Sequence, residues 1–227
     1  MKVEIIPAIL PKDFAELEEK IGLVRDFVKT VQIDVCDGQF TPAPSWPYKK
    51  RDDTFEKMLT EEEGLPGWEK LNFEIDLMAN KPETVVEDWV RAGATRIIIH
   101  VEATGSVTEA VDMLTGRVEV GLALNIDTPI DVIEHYKEKI QFVQCMGITH
   151  VGFQGQDFDE RVIEKVKAVK AMYPSLTVSV DGGVSLETGP LLIKAGVDRL
   201  IVGSAIFNSD NFVEAIDQFK KLPYLQE

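Results

Sequence analysis

Gln32-Ile33-Asp34-Val35-Cys36-Asp37-Gly38 is a short apolar strand that runs out into an acidic residue and a glycine. Near the far end of the chain, Val180-Asp181-Gly182-Gly183 repeats the pattern. Each run places a carboxylate at the C-terminal end of a strand, and in a parallel α/β barrel those ends form the face where chemistry occurs. Two carboxylates from strands distant in sequence can move a proton from one side of a carbon to the other. One acts as base while the other, protonated, acts as acid. An isolated Asp-Gly more often begins a turn or caps a helix, so the rest of the chain decides the reading.

Outward from these runs, short segments rich in β-branched residues alternate with longer ones of helical period. Strands are expected at 3–10, 30–35, 72–77, 96–101, 118–124, 142–146, 177–180 and 199–202. Ile97-Ile98-Ile99 and similar runs suit parallel strands covered on both faces. Helices are expected at 13–28, 82–91, 160–172, 186–195 and 212–222, with 54–59 as a further crossover. The first carries Phe14, Leu17, Ile21, Val24 and Val28 on one stripe. Gly93 and Gly196 end helices just before strands. Eight alternations favour a single (β/α)8 barrel of the TIM type over residues 1–227, and no G-x-G-x-x-G fingerprint follows the first strand.

The bulk composition agrees. The chain has 227 residues, near the usual size of such a barrel. Its formal net charge of −15 argues against nucleic acid or an anionic membrane as partner. An anionic substrate remains compatible, because backbone N–H groups can hold phosphate. No apolar stretch reaches membrane-spanning length, and Met1-Lys2-Val3-Glu4 reads directly into a strand rather than a signal peptide. Two cysteines, Cys36 and Cys145, make no disulfide framework and fit a reducing, cytoplasmic setting. The connection 41–70 is long and holds Trp46, Tyr48 and Trp68. These aromatics serve either a substrate pocket or subunit contact, or a cover for the side of the barrel. Glu61-Glu62-Glu63 reads as a solvated face.

Eight motifs in order give the chain a resemblance to the ribulose-phosphate 3-epimerases. They are Pro7-Ala8-Ile9-Leu10, Asp34-Val35-Cys36-Asp37-Gly38-Gln39-Phe40, Asp76-Leu77-Met78, His100-Val101-Glu102-Ala103-Thr104, Leu122-Ala123-Leu124-Asn125, Gly152-Phe153-Gln154-Gly155-Gln156, Asp181-Gly182-Gly183-Val184 and Gly203-Ser204-Ala205-Ile206-Phe207. The resemblance spans about 3–207 and implies a ribulose-phosphate-binding barrel acting on a ketose phosphate. It implies proton removal at C3, an enediolate, and reprotonation from the opposite side. The acid/base pair falls on Asp34 and Asp181. The phosphate site falls on Gly155, Gly182, Gly183, Gly203 and Ser204, where loops after the seventh and eighth strands commonly hold phosphate. A dimer or hexamer is implied, and no organic cofactor.

The chain departs from the family at the reaction centre. The family holds a divalent metal through two His and two Asp; here the His positions carry Gln32 and Asp76. Ala8 stands where a Ser is usual and Cys36 where a Met is common, while Met78 and Met146 remain. Thr149-His150-Val151 alters the sixth-strand loop. Gln32, Asp34 and Cys36 alternate on one strand and so share a side. Three crowded carboxylates need either a cation or raised pKa values. An all-oxygen set of Asp34, Asp76 and Asp181, with Gln32 through its carbonyl or a water, suits Mg²⁺ or Mn²⁺ better than Zn²⁺. His100 is expected either to line the site or to be a structural histidine oriented by Glu102. His150 reads as an exposed loop residue, His135 as helix surface. The leading function is C3 epimerisation of ribulose 5-phosphate or a related ketose phosphate. The alternatives are another isomerase or lyase of these barrels, or a binding protein for a phosphorylated metabolite. The Lys of an Asp-x-Lys-x-x-Asp run, characteristic of the decarboxylases and synthases, is missing from Asp76-Leu77-Met78-Ala79-Asn80.

Overall fold

In the computed structural model, which describes residues 3–49, 53–153 and 155–223, eight parallel strands pair in sequence order and close into a barrel. They are β1 (Glu4–Ile9), β2 (Thr30–Cys36), β3 (Asn72–Met78), β4 (Arg96–His100), β5 (Glu119–Leu124), β6 (Phe142–Met146), β7 (Thr177–Asp181) and β8 (Arg199–Val202). Alternation decides which side chains go where. Ile33, Val35, Ile75, Ile97 and Ile99 point outward and pack under the helices. Ile6, Ala8 and Ile201, with Ile98, Ala123, Phe142 and Met146, fill the interior instead. Register sets the level of the polar residues. Asp34 lies directly beside Asp76 across β2 and β3, and Met146 beside Asp181 across β6 and β7.

The opposite end of the barrel is closed by ions. Arg96 reaches Glu74 at 3.4 Å and Glu119 at 3.0 Å, and Arg199 reaches Glu4 at 3.4 Å. Arg199 also lies over the Phe142 ring at 4.9 Å. Glu74 is fully buried, and burial pushes its carboxyl up to about 7 even against the two guanidinium charges. This end therefore reads as stability, and chemistry is left to the other.

The helices are α1 (Phe14–Val24), α2 (Asp53–Leu59), α3 (Val86–Arg91), α4 (Val107–Leu114), α5 (Arg161–Met172), α6 (Gly189–Ala195), α7 (Ser204–Phe207) and α8 (Phe212–Lys221). Several differ from the periodicity. Asp13 is the N-cap of α1, accepting from Glu16 N–H, and the helix stops at Arg25 rather than running to 28. The expected 82–91 helix splits into a 3₁₀ turn, Pro82–Thr84, and α3. α6 starts at Gly189, because the side chains of Ser185 and Thr188 tie the preceding residues into a turn. α4, capped by Ser106, was not expected, and a 3₁₀ segment, Ile130–His135, replaces an α-helix after β5. His135 is exposed on it.

Within the long connection, Trp46 is buried and packs against Phe14, Phe55 and Trp89 with ring centroids 5.5, 5.5 and 6.1 Å away. It covers the side of the barrel and contributes nothing to the mouth. Trp68 is 64% exposed, and Glu61, Glu62 and Glu63 are all exposed. Among the described residues, no helix is long and apolar enough to cross a membrane.

Candidate active site

Strand geometry brings Asp34, Asp76 and Asp181 together at the mouth, with one oxygen of each within 4.8 Å of the others. Gln32, one inward position below Asp34, joins two of them. Its Nε2 donates to Asp34 Oδ1 at 2.8 Å and to Asp181 Oδ2 at 2.8 Å. The amide nitrogen thus bridges the two carboxylates, while Oε1 is a buried acceptor that makes no hydrogen bond, as the carbonyl expected to face a cation, directly or through a water, would be. Asp76 leans the other way, with Oδ1 3.1 Å from His100 Nε2, while its Oδ2 is buried and makes no hydrogen bond.

Burial raises the Asp34 carboxyl well above the ordinary range, and the negative charges of Asp181 and Asp76 add to the rise. Asp181 is pushed up to about 7, by burial first and then by Asp76, although the Gln32 hydrogen bond pulls down. Both shifts disfavour the doubly ionised pair, which is the direction an acid and a base working in concert require. The fully buried His100 behaves oppositely. Burial disfavours its charge, but the charge and hydrogen bond of Asp76, together with Glu102, hold the imidazole at about 10.

The cavity above these groups is lined by Ala8, Met78, Met146 and Ile201 on the barrel floor. Gly155, Gly182, Gly183, Gly203 and Ser204 line the same cavity, so the residues expected around a phosphate share one space with the carboxylates. The two consecutive glycines are required by backbone shape. Gly182 and Gly183 have φ of 95° and 68°, and a Cβ on Gly183 would lie 2.7 Å from Phe158 Cα. No lysine or arginine is among the described lining residues.

Two expected lining residues lie behind the wall. Cys36 is fully buried with Sγ 3.8 Å from Met78 Sδ, and burial pushes its thiol up to about 12. His100 is also fully buried, behind Asp76. His150 is exposed in the sixth-strand loop and outside the cavity. Periodicity gave no sign of Ile148, Phe153, Gln156 and Val184, which also line the cavity from the β6 and β7 loops. Asp37, the second acid of Asp34-Val35-Cys36-Asp37, organises the mouth instead of entering it. Its Oδ1 accepts from Gln39 and Phe40 N–H at 2.7 Å each, and Oδ2 from Asn80 N–H at 2.8 Å. An Asp followed by Gly-x-aromatic is the available sequence sign for that turn.

A family model described as the ribulose-phosphate 3 epimerase family matches residues 4–207. The chain belongs to this family. A ribulose-phosphate 3-epimerase of Bacillus subtilis (strain 168) is 31% identical over 225 residues, covering 96% of this chain and 98% of the relative. One from Schizosaccharomyces pombe is 31% identical over 219 residues, covering 95% and 92%. Among solved structures, 3-hexulose-6-phosphate synthase from Salmonella typhimurium superposes with a TM-score of 0.72 at 12% identity, covering 99% of this chain and 100% of that one. That likeness carries the fold. Family membership makes the protein a sugar-phosphate isomerising enzyme.

The family's divalent cation is compatible with the residues present. Three carboxylate oxygens converge, and Asp76 Oδ2 is a buried acceptor without a partner. Hard oxygen donors suit a hard cation.

Proposed function

We propose that the protein inverts C3 of a ketose phosphate, ribulose 5-phosphate or a close relative, by proton transfer between Asp34 and Asp181. The observation that carries this reading is the pair itself. The two carboxyls come from β2 and β7, share one donor in Gln32, and are both raised by burial. The ionised member removes the C3 proton and leaves an enediolate whose electrons spread onto the neighbouring carbonyl oxygen. The protonated member returns a proton to C3 from the other side. Each Asp ends with the proton state the other had, so the reverse reaction runs on the same pair. The phosphate would lie against the backbone of Gly155, Gly182, Gly183, Gly203 and Ser204, which fixes C3 between the carboxyls. A cation held by Asp34, Asp76 and Asp181 would supply positive charge to the enediolate oxygens.

The competing lyase and decarboxylase readings would use a cationic side chain in the pocket, and the described lining holds none. A purely binding protein remains distinguishable by experiment. Incubating the protein with ribulose 5-phosphate in deuterated water is expected to wash deuterium into C3 and give both epimers. Tight binding without exchange would sink the epimerase reading and leave a binding protein.

The donor set leads to a metal prediction. With carboxylates where the family has imidazoles, the site favours Mg²⁺ or Mn²⁺ over Zn²⁺. Asp76→Asn is expected to weaken Mn²⁺ binding, and Asp76→His to shift preference toward Zn²⁺, as read by calorimetric titration of chelator-treated protein. No heat with any of the three ions, together with turnover that survives strong chelation, would replace the cation with proton sharing among the carboxyls.

A further inference from the structure

We propose that His100 is a positioning residue that fixes Asp76 in one rotamer, so that Oδ2 alone faces the reaction centre. The inference rests on three contacts around a fully buried imidazole. Nε2 lies 3.1 Å from Asp76 Oδ1. In the tautomer with the hydrogen on Nε2, the ring donates this bond and Asp76 Oδ1 accepts. On the other side, Nδ1 faces Glu102 Oε2 at 3.7 Å. Against the ring, Phe40 packs with centroids 5.0 Å apart, in the turn that Asp37 builds.

Glu102 is itself tied down. Its Oε1 accepts from Asn125 N–H at 2.8 Å and from the Thr128 hydroxyl. Lys165 then closes that loop by donating to the Asn125 and Thr128 carbonyls. Burial would raise the Glu102 carboxyl, yet the neighbouring His100 imidazole and the Thr128 hydroxyl take it below its ordinary value. The result is a chain from the β5 loop through Glu102 and His100 to Asp76, with each member held from the side away from the cavity. A carboxylate with one oxygen engaged and one buried oxygen free has a single productive orientation. Partners of this kind commonly tune a metal-binding or reacting group by about 10- to 100-fold.

Asp76 has two terminal oxygens, and occupying one of them gives the other a defined direction.

The kinetic part of the test rests on the epimerase reading; the spectroscopic part does not. In protein labelled with ¹⁵N-histidine, the His100 Nε2–H proton is expected far downfield and slow to exchange. It should move upfield in Asp76→Asn, where the acceptor is neutral. Two substitutions then separate the two ring nitrogens. His100→Gln places an amide nitrogen near the Nε2 position and keeps the bond to Asp76. His100→Asn reaches only the Nδ1 position and loses it. Mn²⁺ affinity, followed by electron paramagnetic resonance, and kcat are expected to fall about 10- to 100-fold in His100→Asn with KM little changed. His100→Gln should recover most of both. An Nε2–H signal that does not respond to Asp76→Asn would overturn the assignment, as would equal behaviour of the Gln and Asn variants. If the wild-type protein neither turns over ketose phosphates nor binds Mn²⁺, the epimerase reading fails, and the imidazole signal still decides the role of His100.

Discussion

Asp34→Asn and Asp181→Asn, made singly, are expected to abolish inversion at C3 while each leaves half of the proton chemistry intact. Loss of a positioned acid or base costs about 10²- to 10⁴-fold in turnover, and inversion needs both partners in every cycle. Asparagine keeps the shape of aspartate and can still meet Gln32, so the change falls on proton transfer more than on packing. The surviving carboxyl can remove a proton from the side it faces and return one to the same side. Each variant should therefore wash deuterium into one epimer only, and the two variants should choose opposite epimers. Proton NMR of C3 in deuterated water, starting from each epimer separately, reads this directly. Both variants exchanging the same epimer, or either one turning over at the wild-type rate, would mean that other groups carry the chemistry.

Gly203→Asp is expected to remove sugar-phosphate binding. Gly203 lines the cavity beside Gly183 and Ser204, and its φ of −94° lies outside the left-handed region that favours glycine. A carboxylate there would sit close to a phosphate. At ~4 Å and an effective dielectric of ~20, each pair of unit charges costs about 4 kcal/mol, or about 10³-fold in affinity. Gly203→Ala serves as the control, since it adds bulk without charge. Calorimetric titration with ribulose 5-phosphate and with inorganic phosphate should show Gly203→Asp far weaker than Gly203→Ala. Equal affinities in the two variants would move the phosphate elsewhere in the cavity. The test is independent of the first, because binding can survive when proton transfer is lost.

Sequence and tertiary structure divide the description of the site unevenly. Asp34 and Asp181 were legible because a strand alternates its side chains and ends where the turn glycine begins, so the level of each carboxylate followed from counting. Met78 and Met146 were legible for the same reason. Gln32 was legible in position, and its bridge between two carboxylates was not. Its position followed from alternation, but which end of an amide turns toward two carboxylates depends on their approach across the barrel, over a separation of 149 residues for Asp181. His100 was legible as a strand-end histidine near Glu102, and invisible as the partner of Asp76, which belongs to the neighbouring strand.

The same boundary runs through the fold. Strand periodicity and turn residues determined the eight-stranded barrel by themselves, because a buried parallel strand needs both sides apolar and its ends marked by glycine or acid. Helix limits were less well determined. Ser185 and Thr188 bind backbone in a way that competes with helix, and only the packed loop decides which wins. Trp46 shows the limit most clearly. Its place in a long connection after β2 was equally consistent with the pocket and with the barrel's side. Burial against Phe14, Phe55 and Trp89 settled it, since those three come from separate segments that meet only when the barrel closes. Local sequence fixes the direction in which a side chain leaves its own strand. What it meets there is a property of the closed barrel, where residues far apart in the chain become neighbours.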